Sequence, residues 1–160
     1  MKAIITGSFD PITTGHLEII KKASAFFDEL YVVALLNAEK SYMFSLDEKK
    51  EIMSLALSDF DNVVVDAYNG LTADYMHKKG ISKIVRGIRN DDDRDYENKL
   101  AEAMKAFDKS FETIFIESEA PFFNISSTYA RELIKSGKSL DGVIPEKAIN
   151  RVIEIFKSKI

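Results

Sequence analysis

The sequence predicts an α/β fold: a doubly wound sheet of five parallel strands with helices on both faces. Short apolar runs alternate with longer segments of helical periodicity along all 160 residues, the pattern of strands joined by right-handed helical crossovers. Hydrophobic residues make up 46% and charged residues 30%, the balance of a chain with one sizeable core. No internal repeat, low-complexity tract or Pro/Gly-rich linker interrupts it, so residues 1–160 read as a single domain.

The strands are expected at Ala3–Thr6, Leu30–Leu36, Val63–Val65, Ile81–Val85 and Thr113–Ile116, each a short apolar or β-branched run. The first helix is read over Gly15–Phe27. The second, Leu46–Ser58, opens on Ser45-Leu-Asp-Glu48, a capping box. A third is placed at Leu71–Lys79 and a fourth at Tyr96–Phe107. After the last strand come Ser127–Ser136 and Pro145–Lys157, with Pro145 suited to a first helical turn. That last helix sets Ile149, Val152, Ile153 and Phe156 on one face.

Composition excludes several chemistries. Lys and Arg number 22 and Asp and Glu 26, a net charge of −4, which argues against bulk attraction to nucleic acid or an anionic membrane, although a local basic cluster stays open. Cysteine is absent, which removes disulfides, thiolate nucleophiles and zinc–thiolate or iron–sulfur sites. The two histidines, His16 and His77, are too few for a multi-histidine metal centre, so a metal would rest on carboxylates or on a substrate's phosphates. The N-terminus lacks a signal-peptide pattern and no apolar run has membrane-spanning length, so a cytoplasmic location is expected.

In open parallel sheets ligands sit beyond the carboxyl ends of the strands, which directs attention to five loops. The first strand runs through Thr6-Gly-Ser-Phe-Asp-Pro-Ile-Thr-Thr-Gly-His16 into a helix. Gly7 permits close backbone approach, and Gly15-His16 stand where unpaired amides favour a phosphate. The second loop carries Lys40, and the third places Thr72 at a helix start. The fourth strand ends in Arg86-Gly-Ile-Arg89, two guanidinium groups with the geometry of an anion clamp. After the fifth, Asn124-Ile-Ser-Ser-Thr-Tyr-Ala-Arg131 puts consecutive hydroxyls at another helix start, where they serve as caps or as a phosphate site.

The stretch Gly7-Ser-Phe-Asp-Pro-Ile-Thr-Thr-Gly-His16 closely resembles the T/HxGH signature of the nucleotidyltransferase superfamily, in particular its phosphopantetheine adenylyltransferase family. Thr13 occupies the position where nicotinamide-mononucleotide and glycerol-phosphate relatives usually carry a first His, and Ser8 replaces a common Thr while keeping the hydroxyl. The resemblance spans nearly the whole chain and implies a Rossmann-like sheet. It also implies transfer of the adenylyl group of ATP to 4′-phosphopantetheine, giving dephospho-coenzyme A and pyrophosphate by direct in-line attack. His16 and Lys40 take the catalytic positions. ATP contacts fall on Ser8, Phe9, His16, Gly87, Ile88, Arg89 and Glu97, and on Phe122, Phe123, Asn124, Ile125, Ser126, Ser127 and Thr128. Phosphopantetheine contacts fall on Ser8, Lys40, Thr72 and Arg86. Phe122-Phe-Asn124 departs from the usual residues upstream of Ile125. Mg²⁺ carried with ATP, a homohexamer and feedback by coenzyme A are implied as well.

Two alternatives stand beside this reading: a sister transferase on the same fold, acting on nicotinamide mononucleotide or glycerol 3-phosphate, and a non-catalytic nucleotide-binding module of flavodoxin-like shape. Gly137-Lys-Ser139 imitates the end of a P-loop but follows a helix, and is read as a helix stop. Asp91-Asp-Asp93 with Asp95 is read as a solvated charge run on a mobile loop, and Asp95-Tyr-Glu97 as the start of the fourth helix. His77 is read as surface.

Overall fold

A computed structural model describes residues 1–160. Five parallel strands, β1 (Lys2–Gly7), β2 (Glu29–Leu35), β3 (Val63–Tyr68), β4 (Lys83–Ile88) and β5 (Glu112–Glu117), form one sheet in the order β3-β2-β1-β4-β5. The helices are α1 (Thr14–Ser24), α2 (Leu46–Ala56), α3 (Thr72–Lys79), α4 (Asp91–Phe107), α5 (Ser127–Ser136) and α6 (Glu146–Ser158). A single 3₁₀ turn spans Ala120–Phe122. No helix is long and apolar enough to cross a membrane.

Alternation along the strands sorts the side chains onto two cores. Ala3, Ile5, Leu30, Val32 and Ala34 pack with α1, α2, α5 and α6, while Ile4 and Val33 face α3 and α4. The four-helix face holds the larger core. On it Val152 is buried, and Ile149, Ile153 and Phe156 of α6 pack against the same cluster, as the period of that helix requires.

Local chemistry sets the helix ends. Ser45 and Glu48 form the expected capping box on α2. Gly137 ends α5 at φ 70°, a left-handed conformation open to glycine at little cost, so the tripeptide after it is a helix stop. Pro145 is the cap residue before α6, one position ahead of the first helical turn. The fourth helix departs most from expectation: it begins at Asp91, five residues before Tyr96. Asn90 caps it by accepting from the Asp93 N–H at 2.8 Å, and Asp91, Asp92 and Asp93 form its first turn. These acids are therefore not a loop; their charges complement the unpaired amides of a helix start. Glu97 lies in the second turn rather than the first. His77 is exposed as expected, but its Nε2 lies 2.7 Å from Asp108, joining α3 to the end of α4.

The order of strands reverses at β1: β2 and β3 extend the sheet on one flank, and β4 and β5 on the other. β1 pairs with β2 at six positions, but with β4 only at Ala3–Lys83 and Ile4–Ile84. Beyond Ile4 and Ile84 the two strands separate, and a crevice opens at their carboxyl ends, where such sheets bind ligands.

Candidate active site

A cavity of about 420 Å³ fills this crevice. Residues 5–9 of β1 and the loop after it form one wall, and Val85, Arg86 and Gly87 of β4, with Arg89 just beyond its end, the opposite one. The starts of α1 and α5 close one end with Thr13, Gly15, His16, Ile125, Ser126 and Ser127, and Asp93, Tyr96 and Glu97 of α4 close the other.

Two glycines allow these elements to come together. A Cβ on Gly15 would lie 3.2 Å from the Ile125 carbonyl oxygen, so its absence lets the N-termini of α1 and α5 converge. A Cβ on Gly87 would lie 3.1 Å from Ile19, so α1 settles directly on β4 there. Two helix N-termini, each with the positive end of its dipole, thus meet on one cavity, with a free amide at Gly15 on α1, where the Thr14 N–H donates to the Val143 carbonyl and that of His16 to Thr13 Oγ1, and free amides at Ser127 and Thr128 on α5. Ser127 reinforces the junction by donating to the Pro11 carbonyl at 2.8 Å, while Ser126 caps α5 by accepting from the Tyr129 N–H at 3.1 Å.

His16 is held in a defined state. Thr13, 1% exposed, is the cap residue of α1, and its N–H donates to His16 Nδ1 at 3.0 Å. A neutral imidazole accepting at Nδ1 carries its proton on Nε2, leaving that nitrogen a donor. Burial, and secondarily the positive charge of Arg89, lower the His16 pKa from 6.5 to about 4, so the ring is neutral at physiological pH. The Phe9 ring meets the imidazole edge-on, with centroids 4.9 Å apart. Phe9 is 2% exposed and adopts φ 43°, a left-handed conformation unusual for a bulky residue. Its ring belongs to the core beside His16, which leaves the main chain to meet any ligand.

Arg86 is committed to the protein on one side. Its Nε and Nη2 donate to the two oxygens of Glu97 at 2.7 and 2.9 Å, and Nη1 donates to the Thr6 carbonyl at 3.2 Å. Three of its five N–H groups are used and two remain. The pair forms a wall between the main cavity and a second one of about 190 Å³, lined by Thr6, Thr72, Ile84, Leu100, Ala101 and Met104 among others. Arg89 is linked to Asp93 through Nε at 3.1 Å and to the Phe123 carbonyl through Nη1 at 3.2 Å.

The structure thus brings Ser8, Phe9, His16, Arg86, Gly87, Arg89, Glu97, Phe122, Ile125, Ser126 and Ser127 onto one cavity, and Thr72 onto its neighbour. Five expected contacts fall elsewhere. Ile88 is 2% exposed, its side chain packed into the fold. Phe123 and Asn124 are exposed outside the lining. Thr128 is exposed, accepting from Arg131 at 3.1 Å. Lys40 also lies outside, exposed on the turn after β2. Asp93, Tyr96 and Ser118 line the cavity without having been singled out for it; the cap-and-acid run Asn90-Asp-Asp-Asp93 directly after Arg89 was the available signal for the first. No group of three or more His, Cys, Asp or Glu side chains is placed to hold a metal ion.

Residues 4–133 match the model of the cytidylyltransferase-like family. A phosphopantetheine adenylyltransferase from Clostridium novyi (strain NT) is 39% identical over 151 residues, covering 94% of both chains. One from Syntrophus aciditrophicus (strain SB) is 40% identical over 154 residues, 96% of this chain and 93% of the relative. Among solved structures, one from Vibrio parahaemolyticus that carries the name nicotinate-nucleotide adenylyltransferase superposes with a TM-score of 0.73 over 97% of this chain and 93% of its own, at 16% identity. That likeness is one of fold.

Proposed function

The chain belongs to the cytidylyltransferase-like family, and within it to the phosphopantetheine adenylyltransferases, and from that premise we propose how its cavity works. The reaction transfers the adenylyl group of ATP to 4′-phosphopantetheine in coenzyme A synthesis. An oxygen of the acceptor's phosphate attacks the α-phosphorus of ATP. The bond from that phosphorus to the oxygen leading to the β-phosphorus breaks, and pyrophosphate leaves. Composition offers no thiol nucleophile, which agrees with direct attack.

Catalysis then consists of placement and of stabilising charge as it develops. The observation that carries this reading is the state of His16: a neutral imidazole with a proton on Nε2, beside two converging helix N-termini. The Nε2–H is assigned to an oxygen of the α-phosphate. Arg89 and the α5 amides from Ser126 to Thr128 are assigned to the phosphates that leave. Arg86, through its two remaining N–H groups, and Ser8 are assigned to the acceptor's phosphate, and the second cavity beside Thr72 to the acceptor's arm. Lys40 is assigned to the same phosphates from the turn after β2. The scattered carboxylates support a Mg²⁺ ion that enters on the triphosphate and is held there by substrate oxygens. Self-association, with a homohexamer as the proposed state, is supported by the apolar side chains Tyr96, Leu100 and Phe107 exposed along α4, and is read by sedimentation. Feedback by coenzyme A and a cytoplasmic location are proposed from the family alone.

The test is pyrophosphate release with ATP, Mg²⁺ and 4′-phosphopantetheine, run beside nicotinamide mononucleotide with ATP and glycerol 3-phosphate with CTP. Release with phosphopantetheine alone supports the proposal. Release only with another acceptor would overturn the substrate, and ATP binding without release from any of them would overturn catalysis.

A further inference from the structure

Lys49 of α2 is 1% exposed, and its ammonium has no hydrogen-bond acceptor, an arrangement that burial of a charge ordinarily disfavours. The ring of Tyr42 lies 3.6 Å from its Nζ, centroid to nitrogen, within cation–π range. Burial lowers the Lys49 pKa, and the negative charge of Asp10 acts in the opposite direction. Tyr42 in turn faces the turn that carries Lys40. Its hydroxyl accepts from the Asn37 N–H at 2.9 Å, the Lys40 N–H donates to the Asn37 carbonyl at 3.0 Å, and the Glu39 N–H donates to the Asn37 side-chain oxygen at 3.0 Å. Immediately after Tyr42, the Met43 and Phe44 N–H groups donate to the two carboxylate oxygens of Asp10, each at 2.9 Å. Asp10 belongs to the loop leading to His16 and is 2% exposed.

The turn bearing Lys40 is thus tied to the His16 loop through Asp10 and to α2 through Tyr42 and Lys49. We propose that Tyr42 and Lys49 are positioning residues for Lys40, the cation fixing the plane of the Tyr42 ring so that its hydroxyl sets the Asn37–Lys40 turn. The inference rests on the assignment of Lys40 to the reacting phosphates. Packing alone does not account for a cation at position 49, because an apolar side chain of similar length fills the same space without the cost of desolvation. A fixed ring orientation does account for it.

The experiment compares Lys49→Met, Lys49→Arg and Tyr42→Phe in the full chain, each with and without Lys40→Ala. It follows kcat and both KM values in pyrophosphate release, together with hydrogen exchange at the Asn37 amide. Lys49→Met and Tyr42→Phe are expected to lower kcat about tenfold through misplacement of Lys40, with KM for ATP unchanged, and Lys49→Arg to retain most of the parent's kcat. In the Lys40→Ala background neither loss should appear again. Exchange at Asn37 should rise about fivefold once the hydroxyl bond is lost, while Lys49→Met keeps or raises the melting temperature. Losses that add in the Lys40→Ala background, or Asn37 exchange that does not respond, would overturn the proposal. A parent chain that releases no pyrophosphate while Asn37 exchange still responds overturns the function and supports the seating of the turn.

Discussion

Replacing His16 separates the two roles its ring performs. Nδ1 accepts from the shielded Thr13 N–H at 3.0 Å, so His16→Ala strands that donor at the start of α1, at a cost of about 1 kcal/mol, the usual value of a helix cap. The same change removes the Nε2 donor, and loss of one preorganised donor to a developing charge lowers kcat about 10²- to 10³-fold, or roughly 2.7–4 kcal/mol. His16→Gln divides the two effects. Glutamine is a common third residue of a capping box, so it should recover the stability while kcat stays at least about tenfold below the parent, by analogy with other lost donors. Pyrophosphate release read beside urea unfolding provides the assay. The pH dependence follows from the direction of the shift. The folded pKa of about 4 lies below the ordinary 6.5, so the unfolded chain takes up the proton first. Stability at this site is complete above about pH 6.5 and is lost as the pH falls towards 4; His16→Gln lacks that loss. An alanine variant within a few-fold of the parent's kcat would refute the donor role, as would a parental rate that changes near pH 6.5 only while His16 is present.

Other substitutions probe the neighbouring geometry. Glu97→Ala leaves the Arg86 guanidinium without its bidentate partner. It should cost about 1–3 kcal/mol in urea unfolding and raise KM for the acceptor about tenfold; a change confined to KM for ATP would instead make Glu97 a nucleotide contact. Gly15→Ala forces a methyl group against the Ile125 carbonyl at 3.2 Å, and spreading the two helix starts should lower kcat/KM for ATP about tenfold, with no effect the sign that the helices yield freely. Arg151→Ala removes exposed pairs with Glu51 and Glu154. Its unfolding free energy should stay within about 0.5 kcal/mol of the parent, and a larger loss would mean that this surface network is cooperative.

The sequence made the alternation of strands and helices legible because each element satisfies its own period locally. Strand ends were less visible: β3 runs on through Asp66 to Tyr68, past the break in its apolar run at Asp66, because backbone pairing with β2 and the packing of Ala67 and Tyr68 on the two cores hold it there. The start of α4 was misread for the opposite reason. Three consecutive acids look like solvated loop until Asn90 is recognised as a cap and the acids as its first turn. In the site, the signature loop and the two arginines were plain from residue type and spacing. The Arg86–Glu97 pair was not, since it joins a strand end to a helix eleven residues later, and no local rule specifies that angle. Nor was the left-handed turn at Phe9, which the core around its ring imposes on a residue with no preference for it. The placement of Lys40 on an exposed turn likewise depends on the buried contacts of Tyr42 and Asp10, not on the residues beside it.

The two-position ladder between β1 and β4 has a mechanical meaning. It divides the sheet into a three-strand panel and a two-strand panel, each fully laced within itself, with α1 laid across the gap. A triphosphate gripped by His16 on one panel and Arg89 on the other would act as a rivet, making the seam stiffer with the nucleotide in place than without it.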